Sequence, residues 1–191
     1  MRRPDVRLFI AIELDEAVRR ELARVQETLK PACRGVRWVK PELLHLTIKF
    51  LGEVPDGDVT GVTTAVETAA GASGGFDMDV GGSCGCFPPR GLVRVVWSSV
   101  TAEEGVLSRC VEHVERALEQ AGFPRERKPF RPHITLGRVR YDDSRGAIRA
   151  AVEACTARTI GQRVDRLTVM SSVLSRGGPT YTPVARFDLG G

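Results

Sequence analysis

The four-residue word His45-Leu46-Thr47-Ile48 returns almost unchanged as His133-Ile134-Thr135-Leu136, nearly half the chain later. Each copy alternates polar and apolar residues, the period of a half-buried β-strand, so His and Thr face one side while the aliphatic residues face the other. Of the three histidines in the sequence, two sit in these words. A chain that repeats such a strand must bury two apolar faces and leave two His/Thr faces polar. The pattern predicts two similar lobes that set their His-X-Thr strands across a common groove.

The flanking segments fill out the lobes. Arg7 to Leu14 is expected as a strand, and Asp15 as the N-cap of a helix striped by Val18, Leu22, Val25 and Leu29 and ended by Pro31. Leu43 to Leu51 is a second strand, with His45 and Thr47 opposite Leu46, Ile48 and Phe50, before the turn Gly52-Glu53-Val54-Pro55-Asp56-Gly57. A helix with Val59, Val62, Val66 and Ala70 as its stripe leads to a loop at Gly71 to Gly75. Phe76 to Val80, Ser83 to Phe87 and Leu92 to Val100 then read as strands. Thr101 with Glu104 fits a capping box opening a helix striped by Leu107, Cys110, Val111, Val114 and Leu118 and closed by Gly122. Pro132 to Val139 is a strand, a helix with Ile148, Val152 and Cys155 follows, and Leu167 to Leu174 with Tyr181 to Leu189 make a final pair. About eight strands and four helices, with strands often adjacent in sequence, define an α+β fold with two antiparallel sheets flanked by helices around a central groove. One bilobal domain over residues 1–191 is expected.

Composition narrows the function classes without choosing one. With 42% hydrophobic and 27% charged residues, the chain is neither disordered nor fibrous. The basic start Met1-Arg2-Arg3-Pro4-Asp5 precedes an apolar run, Leu8 to Ile12, that is too short for a secretion signal, and nothing approaches the roughly 18 apolar residues of a membrane span. A soluble, cytoplasmic monomer without a membrane partner is expected. The net charge of +4 suits an anionic partner, as it does many ordinary enzymes. Cys33, Cys84, Cys86, Cys110 and Cys155 are odd in number and scattered, against a disulfide framework. Cys84-Gly85-Cys86 lacks the second ligand pair of a zinc site, so the thiols read as buried or turn-associated and no metal is expected. Neither dinucleotide nor P-loop glycine fingerprint occurs, and no cofactor is expected.

Two imidazoles facing each other suit a reaction in which one proton is removed and another delivered, because their ordinary pKa lets neutral and protonated forms coexist near neutrality. Threonine hydroxyls two residues along can donate to the non-bridging oxygens of a phosphate. The two words are equivalent, so the residues do not say which histidine starts protonated. His113, beside Glu112 and off the apolar stripe of its helix, reads as a solvated surface residue.

The opening Arg7-Leu8-Phe9-Ile10-Ala11-Ile12, the run Trp38 to Gly52 around His45, the run Pro129 to Arg138 around His133, and the closing Ser172-Val173-Leu174 and Gly178-Pro179-Thr180-Tyr181 together resemble the RNA 2′,3′-cyclic phosphodiesterases. These enzymes, formerly described as 2′-5′ RNA ligases, belong to the two-histidine phosphoesterases, and the resemblance covers nearly the whole chain. It implies metal-free hydrolysis of a terminal 2′,3′-cyclic phosphate on RNA to a 2′-phosphomonoester, with reverse 2′,5′ joining possible in vitro. His45 is then the proton donor to the leaving 3′ oxygen, His133 the proton acceptor that activates water, and Thr47 and Thr135 bind phosphate.

Three further residues are candidates for substrate binding. Arg138 matches a substrate-supporting arginine of the family, but its parity opposes that of His133, so it reaches the groove only if the strand bends or bulges at Gly137. Phe9, on the opposite parity to Leu8, Ile10 and Ile12, either stacks a base or packs in a core. Lys49, on the regular-strand parity of His45 and Thr47, either aids the phosphate or is a surface lysine. Arg37, Arg90 and Arg131 would extend an RNA path if they line it. Two other readings share these residues: an RNA-end binding module without turnover, and a phosphodiesterase for small cyclic nucleotides.

Overall fold

The computed structural model describes residues 5–142, 146–175 and 178–190, so the basic start at Met1 to Pro4 lies outside the described residues. The strands are β1 (Val6–Glu13), β2 (Val36–Trp38), β3 (His45–Val54), β4 (Phe76–Phe87), β5 (Val95–Ala102), β6 (His133–Val139), β7 (Ile160–Val164), β8 (Arg166–Ser175) and β9 (Gly178–Asp188). The helices are α1 (Glu16–Leu29), α2 (Val59–Gly71), α3 (Val106–Gln120) and α4 (Ala147–Ala154). No described helix is long and apolar enough to cross a membrane.

The sheet runs in the order β7-β4-β5-β6-β3-β1-β8-β9, with β2 added on β6, and all these strand pairings are antiparallel. The two expected sheets are therefore the two halves of one surface. The join between them is narrow: β3 and β6 share the single register pair Leu46↔Ile134. Helices α2 and α3 pack on the half containing β3, β8 and β9, while α1 and α4 pack on the half containing β4 and β7. Each half is thus covered partly by a helix that follows a strand of the other, since α1 follows β1 and α3 follows β5.

The apolar stripes meet the aliphatic residues of the strands in one core. Leu8, Ile10 and Ile12 of β1, Leu46 of β3 and Ile134 and Leu136 of β6 are almost fully buried with Leu22, Val25, Val114 and Leu118. Each such side chain stabilises the fold by roughly 1.5–3 kcal/mol relative to exposure. A separate small cluster, Phe9, Ala11 and Met170 with Tyr181 against it, lies on the opposite face of the β1 half.

Several local expectations are corrected. Leu43 ends a single 3₁₀ turn, Pro41–Leu43, so β3 begins at His45 itself. The segments Phe76 to Val80 and Ser83 to Phe87 form one strand, kinked where Gly81 and Gly82 take positive φ. Thr101 does not cap α3: it pairs in β5 with Asp79, and the helix starts after Gly105, whose φ is +79°. Two short strands, β2 and β7, are too brief for periodicity to register; their partners, not their own pattern, make them strands.

Candidate active site

The single pair Leu46↔Ile134 sets the geometry of the site. Carried one residue either way, its antiparallel register puts His45 on the Thr135 side of the seam and Thr47 on the His133 side. Leu46 and Ile134 are fully buried, while all four polar residues are part-exposed on the other face, which lines the groove.

Both imidazoles are held in the same way. Nδ1 of His45 donates to the carbonyl of Leu43 at 2.8 Å, and Nδ1 of His133 donates to the carbonyl of Arg131 at 2.7 Å. A carbonyl can only accept, so the neutral form of each ring carries its proton on Nδ1 and leaves Nε2 as the atom for proton transfer. Aromatic rings fix the orientation further. Tyr181 meets His45 edge-on at 5.3 Å and 87°, and Phe87 meets His133 edge-on at 5.1 Å and 86°. Phe9 lies 4.9 Å from His45, and Trp97 lies 5.3 Å from Phe87. A Cβ on Gly85 would stand 2.2 Å from the Trp97 ring, so only glycine leaves room for the indole there.

Burial, first, and the charge of Arg138 hold the pKa of His45 below the ordinary imidazole value, against the Leu43 carbonyl, which raises it. The acid of β1, Glu13, is paired by register with His45 but gives its carboxylate to Arg186 at 2.7 Å and to Thr168 at 2.9 Å. His45 is therefore oriented by the backbone and not by a carboxylate.

Matching β-bulges follow the two words. On β3, Ile10 pairs with Lys49 and Ala11 with Thr47, leaving Ile48 as the extra residue; on β6, Val96 pairs with Gly137 and Trp97 with Thr135, leaving Leu136. Each bulge reverses the parity beyond it. Lys49 accordingly does not share the groove with His45 and Thr47: it is buried on the core face, where Nζ reaches Glu115 of α3 at 2.5 Å and the Pro124 carbonyl at 2.8 Å. Phe50, expected among the packing residues, turns to the groove face instead, 52% exposed, with its ring 6.3 Å from Phe9 and beneath the Arg7 guanidinium. Arg138 is likewise carried to the groove face, close enough to bias both His45 and Tyr181. The β6 bulge is held by Gln26 of α1, whose amide donates to the carbonyls of Leu136 and Val39 at 2.8 and 2.7 Å.

Phe9 also faces this side, yet only 2% of it is exposed, so it forms a bed for His45, and the open ring beside it is Phe50. Tyr181, Phe87, Trp97 and Phe50 were not selected as site residues by sequence reasoning: the bulge that turns Phe50 to this face exists only in the pairing of β3 with β1, and the other three rings come to the histidines from strands distant in sequence. His113 is half-buried rather than solvated: its Nδ1 lies 2.8 Å from the Ser73 hydroxyl, at a concavity of about 830 Å³ between α2, β4 and α3 that none of the four motif residues lines. Burial pushes the thiol of Cys84 up to about 12 and that of Cys86 up to about 11, so both stay protonated near neutrality. Among the described residues no three or more His, Cys, Asp or Glu side chains are grouped to hold a metal ion.

An antiparallel α+β sheet that sets two His-X-Thr strands against each other at one narrow seam defines a two-histidine phosphoesterase. The chain belongs to the LigT-like phosphoesterase family, whose model matches residues 12–97 and 100–181. It is 33% identical over 185 residues to the RNA 2′,3′-cyclic phosphodiesterase of Methanothermobacter thermautotrophicus, covering 96% of this chain and 99% of the relative. The RNA 2′,3′-cyclic phosphodiesterase of Archaeoglobus fulgidus is 31% identical, over 96% of this chain and all of that one. Among solved structures, a Thermus thermophilus protein superposes with a TM-score of 0.79 at 31% identity over 97% of this chain and 98% of its own. The structure of E. coli LigT complexed with 3′-AMP superposes with a TM-score of 0.73 at 27% identity, over 97% and 98% of the two chains.

Proposed function

We propose that this chain, folded as one bilobal domain, hydrolyses the 2′,3′-cyclic phosphate end of RNA to a 2′-phosphomonoester by general acid–base catalysis between His45 and His133. The observation that carries the reading is the matched pair of imidazoles, each with Nδ1 locked to the carbonyl two residues back, on the two strands that meet at Leu46 and Ile134. Nε2 of His133 takes a proton from water as its oxygen attacks phosphorus. The bond from phosphorus to the 3′ oxygen breaks, and Nε2 of His45 delivers a proton to that oxygen. Thr47 and Thr135 donate to the non-bridging oxygens, and the Arg138 guanidinium adds positive charge where negative charge accumulates. The two imidazoles supply both proton transfers, so the scheme routes no step through a metal.

His45 on its own favours the neutral form, and the negative charge of an arriving cyclic phosphate opposes that bias. Proton uptake then accompanies binding. The same lowering favours a second reading, in which His45 is the base and His133 the donor. Reverse 2′,5′ joining uses the same transfers run backwards, and a cytoplasmic location suits the substrate.

The test is hydrolysis of an oligoribonucleotide ending in a 2′,3′-cyclic phosphate, with EDTA present and the position of the product phosphate resolved. A 2′-phosphate product that disappears in His45→Ala is expected. Tight binding without turnover would replace the enzyme by an RNA-end binding module, and turnover confined to mononucleotides would move the substrate to small cyclic nucleotides.

A further inference from the structure

Two arginines face each other on the groove side of β2 and β6. Arg37 and Arg138 are direct register partners in the antiparallel pair, flanked by Val36↔Val139 and Trp38↔Gly137. Val36 and Trp38 pack against the core, so Arg37, between them, projects to the opposite face with Arg138. Like charges directly opposite in a ladder are destabilising. Among the described residues neither guanidinium has a carboxylate or hydrogen-bond partner to offset that cost. Arg37 is nevertheless half-buried, and its guanidinium fills the space that a side chain on Gly178 would take, 2.5 Å from an ideal Cβ. Gly178 opens β9, three residues before Tyr181, whose ring meets His45. Gly137 contributes the other half of the arrangement, because a Cβ there would stand 2.5 Å from Val36 and keep β2 from closing on β6.

From this juxtaposition we infer that Arg37, set beside Arg138 at the edge of the His/Thr centre, is an anion subsite: Arg138 stays with the reacting phosphate, and Arg37 takes the phosphodiester on the 5′ side of the terminal nucleotide. The inference rests on the cyclic phosphodiesterase reading above and adds to it a reason for preferring an RNA end over a nucleoside cyclic phosphate. Arg138 lies on the His45 side of the centre and Arg37 extends from it toward β9, and with a cyclic phosphate at the His/Thr centre the next anion along an RNA end is the phosphodiester 5′ of its terminal nucleotide. Planar guanidiniums suit this role, since each can give two parallel hydrogen bonds to a phosphate.

The experiment compares Arg37→Gln and Arg37→Lys with the unaltered protein on three substrates: adenosine 2′,3′-cyclic phosphate, the same compound carrying a 5′-phosphate, and an oligoribonucleotide with the cyclic end. Expected is a rise of about tenfold in KM for the two 5′-phosphorylated substrates in Arg37→Gln, with kcat unchanged. Arg37→Lys should recover part of the loss. Unaltered turnover of the plain nucleoside cyclic phosphate shows in the same assay that the variant is folded. Equal losses on all three substrates, or no loss on any, would overturn the subsite. If the unaltered protein turns over none of them, the phosphodiesterase reading fails instead, and the subsite is judged by fluorescence anisotropy of the labelled oligoribonucleotide. Weaker binding and a shallower salt dependence in Arg37→Gln support it, and unchanged binding overturns it.

Discussion

Leu46 and Ile134 form the single register pair between β3 and β6, where the two halves of the sheet join, and each is flanked in its own strand by a histidine and a threonine. Because side chains alternate along a strand, burying this pair turns His45, Thr47, His133 and Thr135 to the groove together. The seam is thus at once the most sparsely paired line in the sheet and the axis of the site.

Replacing either histidine by alanine is expected to reduce turnover by roughly 10²- to 10⁴-fold while leaving the circular dichroism spectrum unchanged. A substrate with sulfur in place of the 3′ oxygen separates the roles, since a thiolate leaves without a proton. Recovery of His45→Ala, and not of His133→Ala, on that substrate identifies His45 as the donor; the reverse pattern exchanges the two.

Thr47→Val and Thr135→Val each remove one donor to the phosphate and keep the side-chain shape. Each should lower kcat/KM by about tenfold, less than loss of a histidine. Rates equal to the unaltered protein in both would remove the threonines from the mechanism.

The pH profile should carry the signature of His45. Burial and Arg138 lower its pKa, so the limb of kcat/KM that it sets lies below the ordinary value of 6.5, and Arg138→Gln should move that limb upward. The neutral ring is the form favoured by the fold. Its contribution to stability is therefore complete above about pH 6.5 and is lost as pH falls through the lower folded pKa. Titration of the imidazole resonances by NMR in both proteins measures the shift directly.

Lys49 and Glu115 are a buried ion pair, with side chains 5% and 10% exposed. Lys49→Met leaves Glu115 buried without its partner and should cost about 3–5 kcal/mol in a denaturant melt. Replacing both residues by apolar ones of similar volume should restore most of that loss.

Gly85→Ala places a methyl group 2.2 Å from the Trp97 ring. The indole must shift, which should cost about 1–3 kcal/mol. Trp97 packs on Phe87 and Phe87 on His133, so a lower kcat is expected beside a lower Tm.

The amino-acid sequence by itself determined the class of fold, the helix stripes and the four residues of the two words, because all of these follow from local periodicity and repetition. Val18, Leu22, Val25 and Leu29 are buried as their spacing requires, and so are Leu107, Cys110, Val111, Val114 and Leu118. What lay beyond each word was decided only by the tertiary structure. A strand read alone has a fixed period of two, which puts Lys49 in the groove and Phe50 and Arg138 outside it. Pairing with β1 and β5 inserts one extra residue, Ile48 or Leu136, and reverses all three placements. A bulge is a property of two strands in register, held here by Gln26 and by Glu115 through Lys49 from helices distant in sequence. The same holds for the Arg37 and Arg138 pair: the residues are about a hundred positions apart in the chain, and only the antiparallel meeting of β2 with β6 brings their charges together.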